Sequence, residues 1–321
     1  MERIVTLTMN PSIDINSSVE HVISDRKLRC KPSSYEPGGG GINVSRAIQR
    51  LGGNSSALYP AGGTFGQMLQ NLLDREGIFH YPIQIEESTR ETFMILEESS
   101  GRQFRFGMPG PTLRETEWKR CLGTLVALDL KPNYVVASGS LSPGVPEDFY
   151  AQLAKITSEV EARLIVDTSG EPLRLASQAG VYLLKPNMNE IQSLVGREIQ
   201  NELELEETAR DLVEKGHSEV MIISLGAGGA LMVSKDGCEH VRAPTVPIKS
   251  RVGAGDSMVA GMVLSLANGK SLGDAVRFGV AAGAAAVMTP GTELGRREDT
   301  ERLYQQIIVK THEALKGARK C

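Results

Sequence analysis

Val252-Gly253-Ala254-Gly255-Asp256-Ser257-Met258 sets three small residues before an acid and then opens a helix-like segment, Val259 to Ala267, rich in Met, Val, Leu and Ala. Small residues let backbone N–H groups crowd around an anion, and a helix N-terminus adds positive partial charge there. The guest expected at such a place is polyphosphate. A carboxylate would repel phosphate, so Asp256 makes chemical sense as the acceptor of a proton from a hydroxyl that then attacks phosphorus. The plainer alternative is an acid that stabilises a helix N-terminus.

Working outward from this run, short apolar, β-branched stretches alternate with helix-period segments. Ile4–Thr8, Ser56–Pro60, Tyr134–Ser138, Leu164–Asp167, Tyr182–Lys185 and Val220–Leu225 read as buried strands. Ile42–Leu51, Phe65–Arg75, Glu115–Leu128, Pro146–Glu159, Glu204–Lys215 and Asp274–Met288 read as helices. That alternation predicts an α/β fold: three layers, with a mostly parallel central sheet covered on both faces. Residues 12–36 and 88–108 break the pattern, with alternating polar and apolar residues and a Glu98-Ser99-Ser100-Gly101 hairpin turn. They predict a small inserted β-sheet, which packs on a partner subunit as well as on substrate; extra strands on the main sheet are the alternative. The body is then 1–11, 37–87 and 109–315, and 316–321 is a flexible tail. Asp274–Met288, dominated by Ala and Gly, permits close helix approach.

A second glycine cluster, Gly38-Gly39-Gly40-Gly41-Ile42-Asn43, also runs into a helix. Glycines let backbone approach a polar ligand closely, and the Asn amide can both donate to and accept from a sugar hydroxyl; a bare hinge is the alternative. Lys185-Pro186-Asn187-Met188-Asn189-Glu190 closes a strand and opens a helix. Asn187 and Glu190, three apart, suit Mg²⁺ through water, yet the same spacing makes a capping box, and spacing alone favours the cap. Ser224-Leu225-Gly226-Ala227-Gly228-Gly229 fits nucleotide contact and a tight turn equally. Lys27, Arg90 and Arg105 lie in the small sheet, where basic side chains can hold a substrate phosphate. Asp14 follows the first strand, at the rim where open α/β sheets bind ligands.

The 321 residues carry 35 basic and 39 acidic groups, net −4, with no long single-sign block, which argues against nucleic acid or an anionic membrane as partner. Cys30, Cys121, Cys238 and Cys321 are far apart and read as free thiols of a reducing compartment. With no apolar run of about 18 residues and no secretion signal at MERIVTLTMNPSID, the expected location is the cytoplasm. A Walker A loop is absent. Ala61-Gly62-Gly63-Thr64-Phe65-Gly66 is a degenerate dinucleotide motif, which keeps an oxidoreductase as a remote alternative. A non-catalytic sugar-phosphate sensor is the other rival, and it gains nothing from a carboxylate beside phosphate.

Taken together, these stretches resemble the ribokinase-like (PfkB) carbohydrate kinase family from Thr6-Leu7-Thr8-Met9-Asn10-Pro11 through Gly291-Thr292. The two glycine motifs, in order, carry the resemblance. The stretches K-L-R-C, E-P-G-G-G-G-I-N, R-F-G-M-P-G and S-G-S-L-S-P-G-V are similar to those of members that phosphorylate ketohexose phosphates. The resemblance implies transfer from MgATP to the C1 hydroxyl of fructose 6-phosphate, with fructose 1-phosphate or tagatose 6-phosphate as alternative acceptors. It makes Asp256 the base, with Gly253, Ala254 and Gly255 donating N–H groups to the transferred phosphoryl. Asn187 and Glu190 become the Mg²⁺-associated pair, while Lys185, Asn187, Ser224 and Gly226 line the nucleotide site. Asp14, Gly39 and Asn43 would hold sugar hydroxyls; Lys27, Arg90, Arg105 and position 139 in Ser138-Gly139-Ser140 would meet the sugar phosphate. The small sheet would be a lid and homodimer interface. Ser250, Val252, Ala286 and Gly291 match a K⁺ loop, in which Arg251 stands where the family usually has Thr or Ser.

Overall fold

The structure is a computed structural model that describes residues 3–127, 131–291 and 293–318. The first third holds β1 (Ile4–Leu7), β2 (Ser12–Val19), β3 (Ser34–Gly38), α1 (Gly40–Arg50), β4 (Ser56–Ala61), α2 (Gly63–Arg75), β5 (Phe79–Gln84), β6 (Arg90–Glu97) and β7 (Gln103–Gly107). The middle holds α3 (Glu115–Ala127), β8 (Tyr134–Ser138), α4 (Phe149–Glu159), β9 (Arg163–Asp167), α5 (Gly170–Ala179), β10 (Val181–Leu184), α6 (Met188–Val195) and α7 (Glu202–Glu214). The rest is β11 (Ser218–Ser224), β12 (Ala230–Ser234), β13 (Gly237–Val241), α8 (Ala254–Ala267), α9 (Leu272–Val287) and α10 (Arg297–Ala318).

Nine strands form the main sheet in the order β13-β12-β11-β10-β9-β8-β1-β4-β5. The strands from β11 to β5 are mutually parallel, and β12 and β13 add an antiparallel edge. The central strands have both faces buried, which explains their unbroken apolar runs. Val5, Leu7, Val135 and Ala137 face a core shared with α3, α4, α5 and α7. Their neighbours Ile4, Tyr134 and Val136 face one shared with α1, α8 and α9. Helix α8 is buried along nearly its whole length, and Gly279 of α9 lets it come close: a Cβ at Gly279 would lie 2.4 Å from Met262 Cγ. The expected close approach of that Ala- and Gly-rich helix is therefore present.

The second sheet has the order β3-β2-β6-β7, drawn from two separate excursions of the chain. Its centre is the parallel pair β2–β6, flanked by antiparallel β3 and β7. Ile13, Ile15 and Phe93 pack one side of it onto Tyr59 and Leu69 of the body. Elsewhere the sheet shows solvent apolar side chains: Tyr35 at 42% exposure, Leu96 at 37% and Phe106 at 49%. No helix among the described residues is long and apolar enough to cross a membrane. Helix α10 runs to Ala318, into the stretch expected as a tail; Arg319–Cys321, the expected helix end at Leu128 and Thr292 lie outside the described residues.

The chain leaves β1 toward β4 and β5 on one side and later places β8 on the other. This reversal of strand order opens a crevice at the carboxyl ends of β1 and β8, where doubly wound sheets take their ligands. The four-glycine loop lies in that crevice. A Cβ at Gly41 would sit 2.5 Å from Leu7 O, and one at Gly40 would sit 2.4 Å from Ser138 Oγ, so only bare backbone fits.

Candidate active site

Helix α8 begins at Gly253, whose left-handed conformation (φ 74°, ψ 0°) turns the chain into the helix. The first-turn N–H groups, including those of Ala254, Gly255 and Asp256, have no intrahelical acceptor and face outward. Gly255 is exposed, so an anion can reach them.

Asp256, in that first turn, is partly buried, and its Oδ2 accepts from Asn43 Nδ2 at 3.0 Å. Asn43 sits in the first turn of α1, directly behind the four-glycine loop. The two glycine motifs thus meet through these side chains. Burial, reinforced by the Asp167 carboxylate, pushes the Asp256 carboxyl up to about 6, against the opposing pull of Asn43, Lys185 and Arg105. A carboxylate so poised is ionised near neutral pH yet basic enough to take a proton.

Lys185 is 5% exposed and pairs with Asp167 Oδ1 at 3.0 Å. Burial works against its ammonium, but Asp167, then Glu190 and Asp256, outweigh it and hold the group above its ordinary value. Asp167 ends β9 on the same rim. Sequence reasoning passed over it; the available signal was an acid closing a buried strand at the ligand-binding edge.

At the start of β2, Asp14 is 2% exposed and its Oδ1 accepts from Ser12 Oγ at 2.7 Å. Burial raises its carboxyl above the ordinary range, while Ser12, Arg105, Arg90 and Arg46 counter it. Arg90 donates from Nη2 to Asn10 O at 3.1 Å. Arg105, exposed on β7, feels both Asp14 and Asp256. Gly39, at φ 111°, caps α1, and a Cβ there would lie 2.6 Å from Thr8 Cγ2. The structure therefore brings Asp14, Gly39, Asn43, Arg90, Arg105 and Asp256 around one crevice.

Lys27 lies exposed in the loop between β2 and β3, with no hydrogen bond or ion pair among the described residues. One expectation is corrected. Position 139 is glycine and offers no side chain; the hydroxyls beside the glycine loop belong to Ser138 and Ser140.

Asn187 and Glu190 form the complete capping box of α6. Asn187 Oδ1 accepts from Glu190 N at 3.0 Å, and Glu190 Oε2 accepts from Asn187 N at 2.8 Å. Each keeps polar capacity beyond the cap. Burial raises the Glu190 carboxyl, and Asp167 adds to it. Asp167, Glu190 and Asp256 thus set three negative charges against the buried ammonium of Lys185, a surplus that favours a divalent cation nearby, although no three His, Cys, Asp or Glu among the described residues are grouped to hold a metal ion directly. Ser224 bridges to Asn187 across the strand ends, and Gly226, at φ 56°, begins a turn closed by Leu225 N on Gly229 O at 2.9 Å. Beyond it, Ser250 Oγ accepts from Val252 N at 3.2 Å and donates to Gln103 Oε1 of β7 at 3.4 Å. The carbonyls of Ser250, Val252 and Gly291 accept no hydrogen bond among the described residues. That of Ala286 already takes two from Thr289. Arg251 is exposed.

The sequence signature of the pfkB family carbohydrate kinases matches residues 5–299. A relative from Mycobacterium tuberculosis (strain ATCC 25618 / H37Rv), named ATP-dependent 6-phosphofructokinase isozyme 2, is 44% identical over 303 residues, covering 94% of this chain and 89% of the relative. The crystal structure of phosphofructokinase-2 from Escherichia coli in complex with fructose-6-phosphate superposes with a TM-score of 0.91 at 40% identity, covering 96% of this chain and 99% of that one. The same Escherichia coli enzyme in complex with potassium superposes with a TM-score of 0.92 at 41% identity, covering 96% and 99%.

Proposed function

This chain belongs to the pfkB family of carbohydrate kinases, and on that premise we propose that its crevice moves the γ-phosphoryl group of ATP onto the C1 hydroxyl of fructose 6-phosphate. The observation that carries the reading is the Asn43–Asp256 contact, which joins the sugar-side glycine loop to the phosphate-side helix. An alcohol placed between them lies beside a carboxylate able to take its proton and beside N–H groups aimed at phosphate.

In this mechanism Asp14, Asn43 and the Gly39 backbone orient the sugar hydroxyls, and Arg90 and Arg105 neutralise its phosphate. Asp256 takes the C1 hydroxyl proton as the oxygen attacks phosphorus. Negative charge growing on the transferred group meets the N–H groups of Gly253, Ala254 and Gly255 and the buried ammonium of Lys185. The second sheet, as a lid, excludes water that would compete as acceptor. Lys185, Asn187, Ser224 and Gly226 line the nucleotide side. Magnesium would be held by Glu190 and Asn187 through water, and when bound it supplies charge neutralisation on the phosphates. The carbonyls of Ser250, Val252 and Gly291, which accept no hydrogen bond among the described residues, are the donor type that suits K⁺, while the Ala286 carbonyl is already engaged.

The exposed Tyr35, Leu96 and Phe106 support a second role for the lid as the contact face of a homodimer, and we propose the cytoplasm as the protein's location. Sedimentation of Phe106→Glu checks this: a shift from dimer to monomer is expected.

An ADP-release assay over fructose 6-phosphate, fructose 1-phosphate and tagatose 6-phosphate tests the activity. Turnover fastest with fructose 6-phosphate is expected; preference for either other sugar reassigns the substrate, and none at all refutes the kinase reading.

A further inference from the structure

The turn that closes β8 is held by an arrangement that the reaction as described does not use. Gly139 follows Ser138 at φ 104°, and its N–H donates to Asp167 O at 2.9 Å. Its carbonyl oxygen accepts from two hydroxyls of the body, Tyr150 Oη at 3.0 Å and Thr168 Oγ1 at 2.9 Å. Tyr150 is wholly buried on α4, edge-on to Phe149, and Thr168 follows β9 at 6% exposure. Burial, with the Asp167 charge behind it, raises the phenol far above its ordinary value, so it stays a donor at any working pH.

We propose that Tyr150 and Thr168 are positioning residues for the sugar side of the crevice, fixing the Gly139–Ser140 peptide so that the Ser140 N–H points away from the body. In a planar trans peptide the C=O and N–H point in opposite directions, so two donors on one side set the direction of the N–H on the other. Ser140 is exposed, and no hydrogen bond among the described residues takes its N–H. Its Oγ accepts from Asn10 Nδ2 at 3.1 Å, and Asn10 O holds Arg90. The turn also abuts the four-glycine loop: a Cβ at Gly139 would sit 3.3 Å from Gly40 N. A glycine in this conformation could otherwise rotate freely, because it has no Cβ to hold it. One remaining hydroxyl still holds the carbonyl, so the two act as mutual insurance.

This inference rests on the kinase reading, and one kinetic experiment separates the two. Wild type, Tyr150→Phe, Thr168→Val and the double variant are assayed with fructose 6-phosphate and ATP varied in turn. Each single variant is expected to raise KM for the sugar phosphate about threefold, the scale of one hydrogen bond. The double variant is expected to raise it about thirtyfold, more than the product of the single effects, because the peptide is then released. KM for ATP stays within about twofold of wild type, whereas mere destabilisation lowers Tm and active fraction without this split. Wild-type turnover with a sugar KM unchanged in a folded double variant overturns the positioning role alone. Should the double variant not fold, unchanged sugar KM in both single variants overturns it equally. A wild type inert toward all ketohexose phosphates refutes both readings.

Discussion

Asn43 Nδ2 donates to Asp256 Oδ2 at 3.0 Å across 213 residues of chain, so the proposed base is oriented by the loop proposed to bind its acceptor. The same bond stabilises the ionised carboxylate, while burial and Asp167 favour the neutral acid. The balance leaves Asp256 near the middle of the range a general base needs.

Replacing Asp256 with Asn keeps the shape and the Asn43 contact but removes the proton acceptor. We expect kcat to fall by roughly 10²–10⁴-fold, the usual scale for a general base, with KM for ATP little changed. Steady-state kinetics showing near-wild-type turnover would take Asp256 out of the mechanism.

The same substitution should stabilise the fold. The Asp256 carboxyl moves from 3.8 to about 6 on folding, so the folded state binds its proton more tightly than the unfolded one. The resulting penalty is absent below the unfolded value, grows between the two, and is full above the folded one. Asp256→Asn is therefore expected to melt a few degrees higher at pH 7.5 (on the order of 2–6 °C) and no higher at pH 3.5. Scanning calorimetry at the two pH values decides it, and a lower Tm at pH 7.5 contradicts the account.

In wild type, kcat/KM should rise with pH through about 6 as Asp256 ionises. Asn43→Ala removes the bond that favours the anion. Its acid limb should move to higher pH by roughly 0.5–1, on top of any rise in sugar KM. A limb left in place would mean that another group titrates.

Arg105 faces Asp14 and Asp256 at once. Arg105→Ala is expected to raise KM for the sugar phosphate about tenfold or more, the loss of one charge-assisted contact, and also to move the acid limb upward. Arg90→Ala should raise the same KM and move the limb less, since Arg105, not Arg90, is among the main groups acting on Asp256. Identical pH profiles for the two variants would contradict the geometry.

A methyl group at Gly40 would lie 2.4 Å from Ser138 Oγ and 2.8 Å from Gly139 N. Gly40→Ala must push the glycine loop off the β8 turn at a cost of about 1–3 kcal/mol. Sugar KM should rise far more than that for ATP; full activity would show that the crevice floor yields.

The body strands were legible because burial on both faces leaves unbroken apolar runs, as in Val220–Ser224. The edge strands were not. Phe79–Gln84 contains Pro82 and polar residues, and Gly237–Val241 needs only half an apolar pattern. The polar-rich helices Gly170–Ala179 and Arg297–Ala318 likewise lacked a decisive signal. Within the site, Asn43 and Asp256 were legible because each belongs to a local motif, but their contact spans too much chain for any spacing to show. Asp167 looked like any acid closing a strand. The Asn187–Glu190 spacing fitted a helix cap and a metal pair alike, and the cap is realised in full.

The second sheet is stitched from two excursions, and its central pairing sets Ser12 beside Arg90 and Val19 beside Glu97. Neither excursion can complete that sheet alone, so during synthesis the first must wait, half-paired with β3, until about eighty further residues have emerged. Long-range pairing of this kind is slow relative to local helix formation. The second sheet is thus complete once β7 has emerged, ahead of β10, β11 and α8, so a nascent chain acquires its proposed sugar-side grip and its proposed nucleotide-side scaffold as separate events.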